Sequence, residues 1–166
     1  MYDDNDTLER FAFAVRSLLQ LPVLAYADPG EQMITTELVA LMKPFFPDWD
    51  VHGEYNRREQ VEKRLGRLLE DGELVDYGIR PDIIVHHAGE KSNLLIVEVK
   101  RSVNNNVAND IWKLSGMTAL DGIYGYGLGV HLGVDVVSKK ATRCDVYKGG
   151  VVNVALTACL EEKLPR

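Results

Sequence analysis

The chain lacks nearly every feature that would assign it at a glance. Its 2 cysteines, Cys144 and Cys159, have neither metal-site nor redox-motif spacing, so two free thiols are expected in a reducing compartment. The 4 histidines give no zinc pattern: His86 and His87 are adjacent and would face opposite ways in a strand, while His52 and His131 stand alone. No apolar run exceeds Leu21 to Ala27, which contains Pro22, so no segment is long enough to span a bilayer. Met1-Tyr2-Asp3-Asp4 is acidic where a secretory leader would be basic and then apolar, and the expected location is cytoplasmic. The glycines between Tyr124 and Val134 never complete G-x-G-x-x-G, because Val130 and Leu132 occupy the third position. There is no serine-nucleophile motif, internal repeat or low-complexity tract.

Positive charge is the scarcer sign, with 19 Lys+Arg against 25 Asp+Glu and a net charge of -6. That balance argues against a protein that coats nucleic acid by counterion release alone, but not against one that handles phosphate through a bound cation. The apolar fraction of 46% and charged fraction of 27% suit an ordinary globular chain, and 166 residues suit a single domain.

Along the chain, Asp6-Thr7-Leu8-Glu9 reads as a capping box opening a helix whose apolar face is Leu8, Phe11, Ala12, Val15, Leu18 and Leu19, with Pro22 closing it. A second helix is expected over 31–43, with Ile34, Leu38, Leu41 and Phe45 on one line and Glu37 on that same line. Residues 48–57 read as a strand with Trp49, Val51 and Tyr55 on one face and Asp50, His52 and Glu54 on the other. Residues 58–70 carry a helical spacing of Val61, Leu65, Leu68 and Leu69. Arg57, Arg58, Lys63, Arg64 and Arg67 make this the most basic stretch, along which a phosphate backbone could lie. A loop follows to Gly78. A helix over 107–120 would turn Val107, Ile111, Leu114 and Met117 inward, with Asp110 and Lys113 paired on another face. From 124 to 134, large apolar residues alternate with Gly125, Gly127, Gly129 and Gly133; such a bare strand face lets a helix approach. A hairpin over 143–156 and a fraying charged end complete the reading.

The organising stretch is Arg80 to Ser102, two apolar strands around the polar turn Ala88 to Asn93. Side chains alternate along a strand, so Glu98 and Lys100 share a face, and Leu94 and Ile96 on that face argue against simple solvation. Folded about Glu90, the hairpin sets Asp82 opposite Glu98, with Cβ atoms about 5 Å apart. Two such charges repel by roughly 3 kcal/mol at an effective dielectric near 20. A hard oxygen-preferring cation, Mg²⁺ or Mn²⁺, would relieve that repulsion, with Lys100 beside it.

Pro81-Asp82 followed by Glu98-Val99-Lys100 resembles the signature of the PD-(D/E)XK nuclease superfamily, and Glu54-Tyr55-Asn56-Arg57 is a further point of resemblance. The resemblance spans about 35–134 in element order. It implies an α/β fold, a mixed central sheet flanked by helices of restriction-endonuclease-like type, and metal-dependent hydrolysis of nucleic-acid phosphodiesters, DNA first. It also implies that Asp82, Glu98 and the Val99 carbonyl bind metal and that Lys100 orients the attacking water. Glu37 would match the family's helical glutamate, or else lies at the margin of its apolar stripe. Glu54 would be a ligand, a metal-site support or a surface charge, and Lys113 the polar residue of the following helix. An inactive nuclease-like binding module and a metal-dependent hydrolase of another substrate are the alternatives. A chain of this size, without a separate recognition module, leaves room for a homodimer.

Overall fold

The computed structural model of the chain describes residues 2–27, 29–54, 57–58, 61–104 and 106–166. In chain order these form α1 (Asp4–Leu19), α2 (Pro22–Ala27), α3 (Glu31–Met42), a 3-10 turn (Lys43–Phe45), β1 (Asp50–Gly53), β2 (Arg57–Arg58), β3 (Val61–Glu62), β4 (Arg64–Leu68), β5 (Leu74–Gly78), β6 (Ile83–His87), β7 (Ser92–Arg101), α4 (Ala108–Thr118), β8 (Leu128–Asp135), β9 (Lys140–Lys148), β10 (Val151–Val152) and α5 (Val154–Lys163). The fold is α/β, as expected. Six strands make one mixed sheet in the order β1-β6-β7-β8-β9-β10. β7 and β8 are parallel and joined through α4, whereas the other neighbours are antiparallel.

Helices cover both faces. On one, α1, α3 and α5 bury Phe11, Leu38 and Leu160 against Val85, Val97, Val99, Val130 and Leu132. On the other, α4 packs Leu114 and Met117 with Ile84, Ile96 and Tyr147, and Leu65 of β4 leans against this smaller cluster. The alternation read along β8 explains how α4 comes so close: a Cβ on Gly129 would lie 3.0 Å from Thr118 and 3.1 Å from Leu114. No helix among the described residues is long and apolar enough to cross a membrane.

Several boundaries differ from expectation for local reasons. The cap of α1 is Asp3, whose carboxylate accepts from the Asp6 N–H at 2.8 Å; Asp6 instead pairs with Arg10 one turn on. Pro22 opens α2 rather than ending the helical region, in keeping with its tolerance in a first turn. The helix expected over 58–70 and the loop after it are strands: β4 pairs with β5, Leu65 opposite Tyr77 and Leu68 opposite Leu74. Gly66 disfavours a helix there, and it makes room for Leu74, whose Cδ1 is 3.3 Å from the position a Cβ would take. Gly72, at φ +85°, supplies the turn. Residues 55, 56, 59 and 60, part of the expected first core strand and basic helix, lie outside the described residues. The C-terminal hairpin is shorter than 143–156, since Asn153 caps α5 by accepting from the Leu156 N–H at 3.0 Å. The terminal segment does not fray: Leu160 and Leu164 are buried, and Arg16 of α1 donates to the Lys163 carbonyl at 2.7 Å.

Gly129→Val should lower stability by about 1–3 kcal/mol through overpacking against Thr118 and Leu114. Chemical denaturation would register this as a lower midpoint; an unchanged midpoint would mean that α4 does not need the bare strand face.

Candidate active site

The register of the central hairpin places Ile83 opposite Val97 and Ile84 opposite Ile96, and the next step brings Asp82 opposite Glu98. A bulge between Val85 and His86 takes up the remaining offset toward the turn. β7 continues past the start of β6, so the Val99 N–H has no strand partner on that edge; the Asp82 carboxylate accepts it at 2.7 Å. The Val99 carbonyl points to the same edge, as both backbone groups of a strand residue do. Asp82 is also held through its own carbonyl, which accepts from the Glu54 N–H at 2.8 Å.

α4 lies over this pair. Its buried residues are Asp110, Lys113, Leu114, Met117 and Thr118, whereas Ile111 is 37% exposed, so the helix is rotated from the expected orientation. That rotation turns two charges inward. Lys113 Nζ donates to Glu98 Oε2 and stands 3.7 Å from Asp110 Oδ1. Lys100 Nζ lies 3.2 Å from Asp110 Oδ2 and 3.2 Å from Glu31 Oε2 at the start of α3. Asn104 donates to the other Glu31 oxygen at 2.7 Å, and His131 Nε2 of β8 is 3.5 Å from Asp110. Asp82, Glu98, Lys100, Asp110 and Lys113 thus share one face of the sheet, with Glu31 and His131 at its margins.

Glu98 is fully buried, and its Oε1 has no hydrogen-bond partner among the described residues. Burial and then the Asp82 charge push its carboxyl well above the usual range, outweighing Lys113. Burial likewise raises Asp82, against the Val99 hydrogen bond. Asp110 behaves oppositely: burial works to raise it, but the His131 ring and the Lys100 and Lys113 ammonium groups hold it below the carboxylate norm. Lys100 is held above its ordinary value despite burial, by Asp110 and Glu31.

No family model matches the sequence, and no curated protein is similar to it at a significant level.

The remaining expected residues fall in different places. The Glu37 side chain, on α3, makes no hydrogen bond or ion pair among the described residues; the α3 carboxylate that joins the cluster is Glu31. Glu54, at φ +48°, pairs with Arg80 at 3.7 Å beside Asp82. Of the basic residues, Lys63, Arg64 and Arg67 have described side chains, and these three do not form one face. The side chains of 57 and 58 lie outside the described residues. Lys63 is 3% exposed and donates to the Tyr126 hydroxyl at 2.9 Å, and burial brings it down to about 8. Arg64 donates to the Asp76 carbonyl, and Arg67 sits over the Trp112 ring at 5.5 Å. Sequence reasoning missed Glu31, Asp110 and His131 as members of the cluster. A signal existed for His131, which stands between Gly129 and Gly133 on the face bared for a helix.

Among the described residues no three His, Cys, Asp or Glu side chains stand as a ready metal cage. The donor set fits a more open arrangement. Four carboxylates, Asp82, Glu98, Asp110 and Glu31, meet two ammonium groups, Lys100 and Lys113, leaving a formal excess of two negative charges. Mg²⁺ is commonly held by one or two carboxylates, with waters and substrate oxygens filling the rest. Asp82 and the unpartnered Glu98 Oε1 are the groups suited to it.

Both raised carboxyls bind protons more tightly in the folded than in the unfolded chain. Stability therefore falls as pH rises from the ordinary carboxylate range through their folded values. In metal-free buffer near neutral pH, Asp82→Asn should stabilise the protein by roughly 1–3 kcal/mol, the scale of the relieved repulsion, since the amide oxygen can still accept from Val99. The gain should shrink on acidification. Thermal melts across pH measure it, and a variant less stable than wild type at neutral pH would contradict the electrostatic account.

Proposed function

We propose that this chain is a divalent-metal-dependent hydrolase of nucleic-acid phosphodiesters, DNA first, with a restriction-endonuclease-like core. The observation that carries the reading is the Asp82–Glu98 pair: two facing carboxylates, one buried with an unpartnered oxygen, on the face that also presents two lysines. Like charges directly opposite destabilise a sheet, so this arrangement is costly for a module that only binds.

Asp82 and Glu98 would hold Mg²⁺ or Mn²⁺, with the Val99 carbonyl on the same edge as a further oxygen. The cation would lower the pKa of a water and act as a Lewis acid toward the phosphate. Lys113 fixes the Glu98 carboxylate through Oε2, and Oε1 has no hydrogen-bond partner among the described residues. Lys100 would align the attacking water and stabilise charge developing on phosphate. Asp110 and Glu31 keep that lysine protonated and fix its position. Beside Lys100, a polar recess of about 300 Å³ includes Arg101, Asn104 and Arg143, where the phosphate backbone would run. This local positive potential offsets the net charge of -6.

Calorimetric titration with Mg²⁺ or Mn²⁺ should show binding that Glu98→Gln abolishes. Lys100→Ala should retain metal binding but lose roughly 100-fold or more in cleavage rate on DNA. Metal uptake without cleavage of single-stranded, duplex or branched DNA would overturn the nuclease reading in favour of another hydrolase substrate. Absence of metal uptake would leave the binding-module alternative.

A further inference from the structure

A second recess opens on the other flank of the same cluster. It is about 300 Å³ in volume, lies between the β4–β5 hairpin and α4, and is lined by Arg67, Tyr77, Arg80, Asn109, Trp112 and Lys113. Its floor is Lys113, the residue that holds Glu98, so whatever occupies the groove lies next to the facing carboxylates. Its walls are aromatic and cationic.

The two rings are pinned rather than loosely exposed. The Trp112 indole N–H donates to the Gly66 carbonyl at 3.2 Å, and Tyr77 meets the indole edge-on, with centroids 6.3 Å apart and planes at 89°. Leu65, against α4 Gly116, anchors the hairpin on the helix. Tyr77 is nevertheless 43% exposed, a large ring held open to solvent. Arg67 stands 5.5 Å from the Trp112 centroid. Arg80 is largely exposed, with a single 3.7 Å pair to Glu54.

We infer that this groove is a binding track for an unpaired nucleic-acid segment, a base stacking on Tyr77 or Trp112 while Arg67 and Arg80 meet the flanking phosphates. The inference rests on the hydrolase reading for its choice of ligand and narrows that reading to substrates with a single-stranded portion. Aromatic faces accept any base, whereas in a duplex the bases are stacked on one another and unavailable to the rings. A recess of about 300 Å³ has room for a base and its phosphate but not for a double helix. A single strand can bend into the recess.

The test separates binding from chemistry. Glu98→Gln protein with Trp49→Phe, in EDTA, is titrated with thymidylate oligomers of about 15 nucleotides, within the length such tracks cover. Anisotropy of end-labelled oligomers reports binding in every variant, Trp112 emission reports contact where that ring is kept, and circular dichroism reports folding. Quenching at single-strand concentrations roughly tenfold below those needed for duplex of equal length is expected. Tyr77→Ala and Arg67→Ala should each weaken single-strand binding about tenfold or more, and Trp112→Phe should retain binding that Trp112→Leu loses. Equal affinity for duplex and single strand, or folded Tyr77→Ala and Trp112→Leu variants that bind as before, overturns the inference. Wild-type protein with Mg²⁺ on the same oligomers decides the other question. Single-strand binding without cleavage sinks the hydrolase reading alone, and duplex cleavage unaffected by Tyr77→Ala and Trp112→Leu sinks the groove alone.

Discussion

Glu98 is a carboxylate with no exposed surface, set on a middle strand of the sheet beneath a helix, and facing a second carboxylate from the residue that precedes the adjacent strand. An isolated buried charge of this kind is very expensive, and it persists only where opposite charge and hydrogen bonds compensate it. Much of the molecule's unusual local structure follows from that requirement. α4 must present Lys113 to the sheet rather than an apolar side chain. Asp110, one turn earlier, is carried inward with it and has to be balanced by Lys100 and His131. Glu31, from the opposite layer of helices, completes the network at the end of β7. Gly129 of β8 helps to make this possible by letting α4 settle close to the sheet.

The same cluster accounts for why a strongly acidic chain can be read as acting on a phosphate polymer. Its excess negative charge is concentrated where a divalent cation would be held, and cationic side chains border it on two flanks: Lys100, Arg101 and Arg143 on one, Arg67 and Arg80 on the other. Charge placed this way would steer an anionic substrate locally under the proposed function, because the field at the mouth of a site matters more than the overall sign of the protein. The β4–β5 hairpin adds aromatic surface to one flank only, which makes the two sides chemically different.

Legibility in the sequence varied with the range of the interactions involved. The central hairpin was readable because strand alternation and the position of a polar turn are local, and those two facts set Asp82 against Glu98. The bare face at Gly129 was readable for the same reason, but the strand expected from 124 begins only at Leu128, and Tyr124 and Tyr126 pack in the cluster beside α4 rather than with Val130 and Leu132. The basic segment was not. Val61, Leu65 and Leu68 have helical spacing, yet Leu65 and Leu68 lie in a strand pair whose inner contact is Leu65 on α4; Gly66 and Gly72 outweigh the periodicity. On α4 the apolar line through Ile111 was a reasonable inward face, but it competes with the buried demand for Lys113. At the C-terminus a charged composition suggested fraying, whereas Leu160 and Leu164 anchor a helix that closes over α1 and β9.

The amino-acid order determined by itself the class of fold, the hairpin at its centre and the opposition of its two acids, because each follows from side-chain alternation within single elements and from the position of one polar turn. Only the tertiary structure decided which cations answer those acids. Lys113 rather than Lys100 touches Glu98, Glu31 rather than Glu37 reaches the cluster, and Lys63 is withdrawn into an aromatic pocket. The physical reason is the same in each case: the rotation of a helix about its axis, or the path of a hairpin across it, is set by packing between segments distant in sequence and by the cost of leaving a buried charge unpaired, and neither is written in any local period.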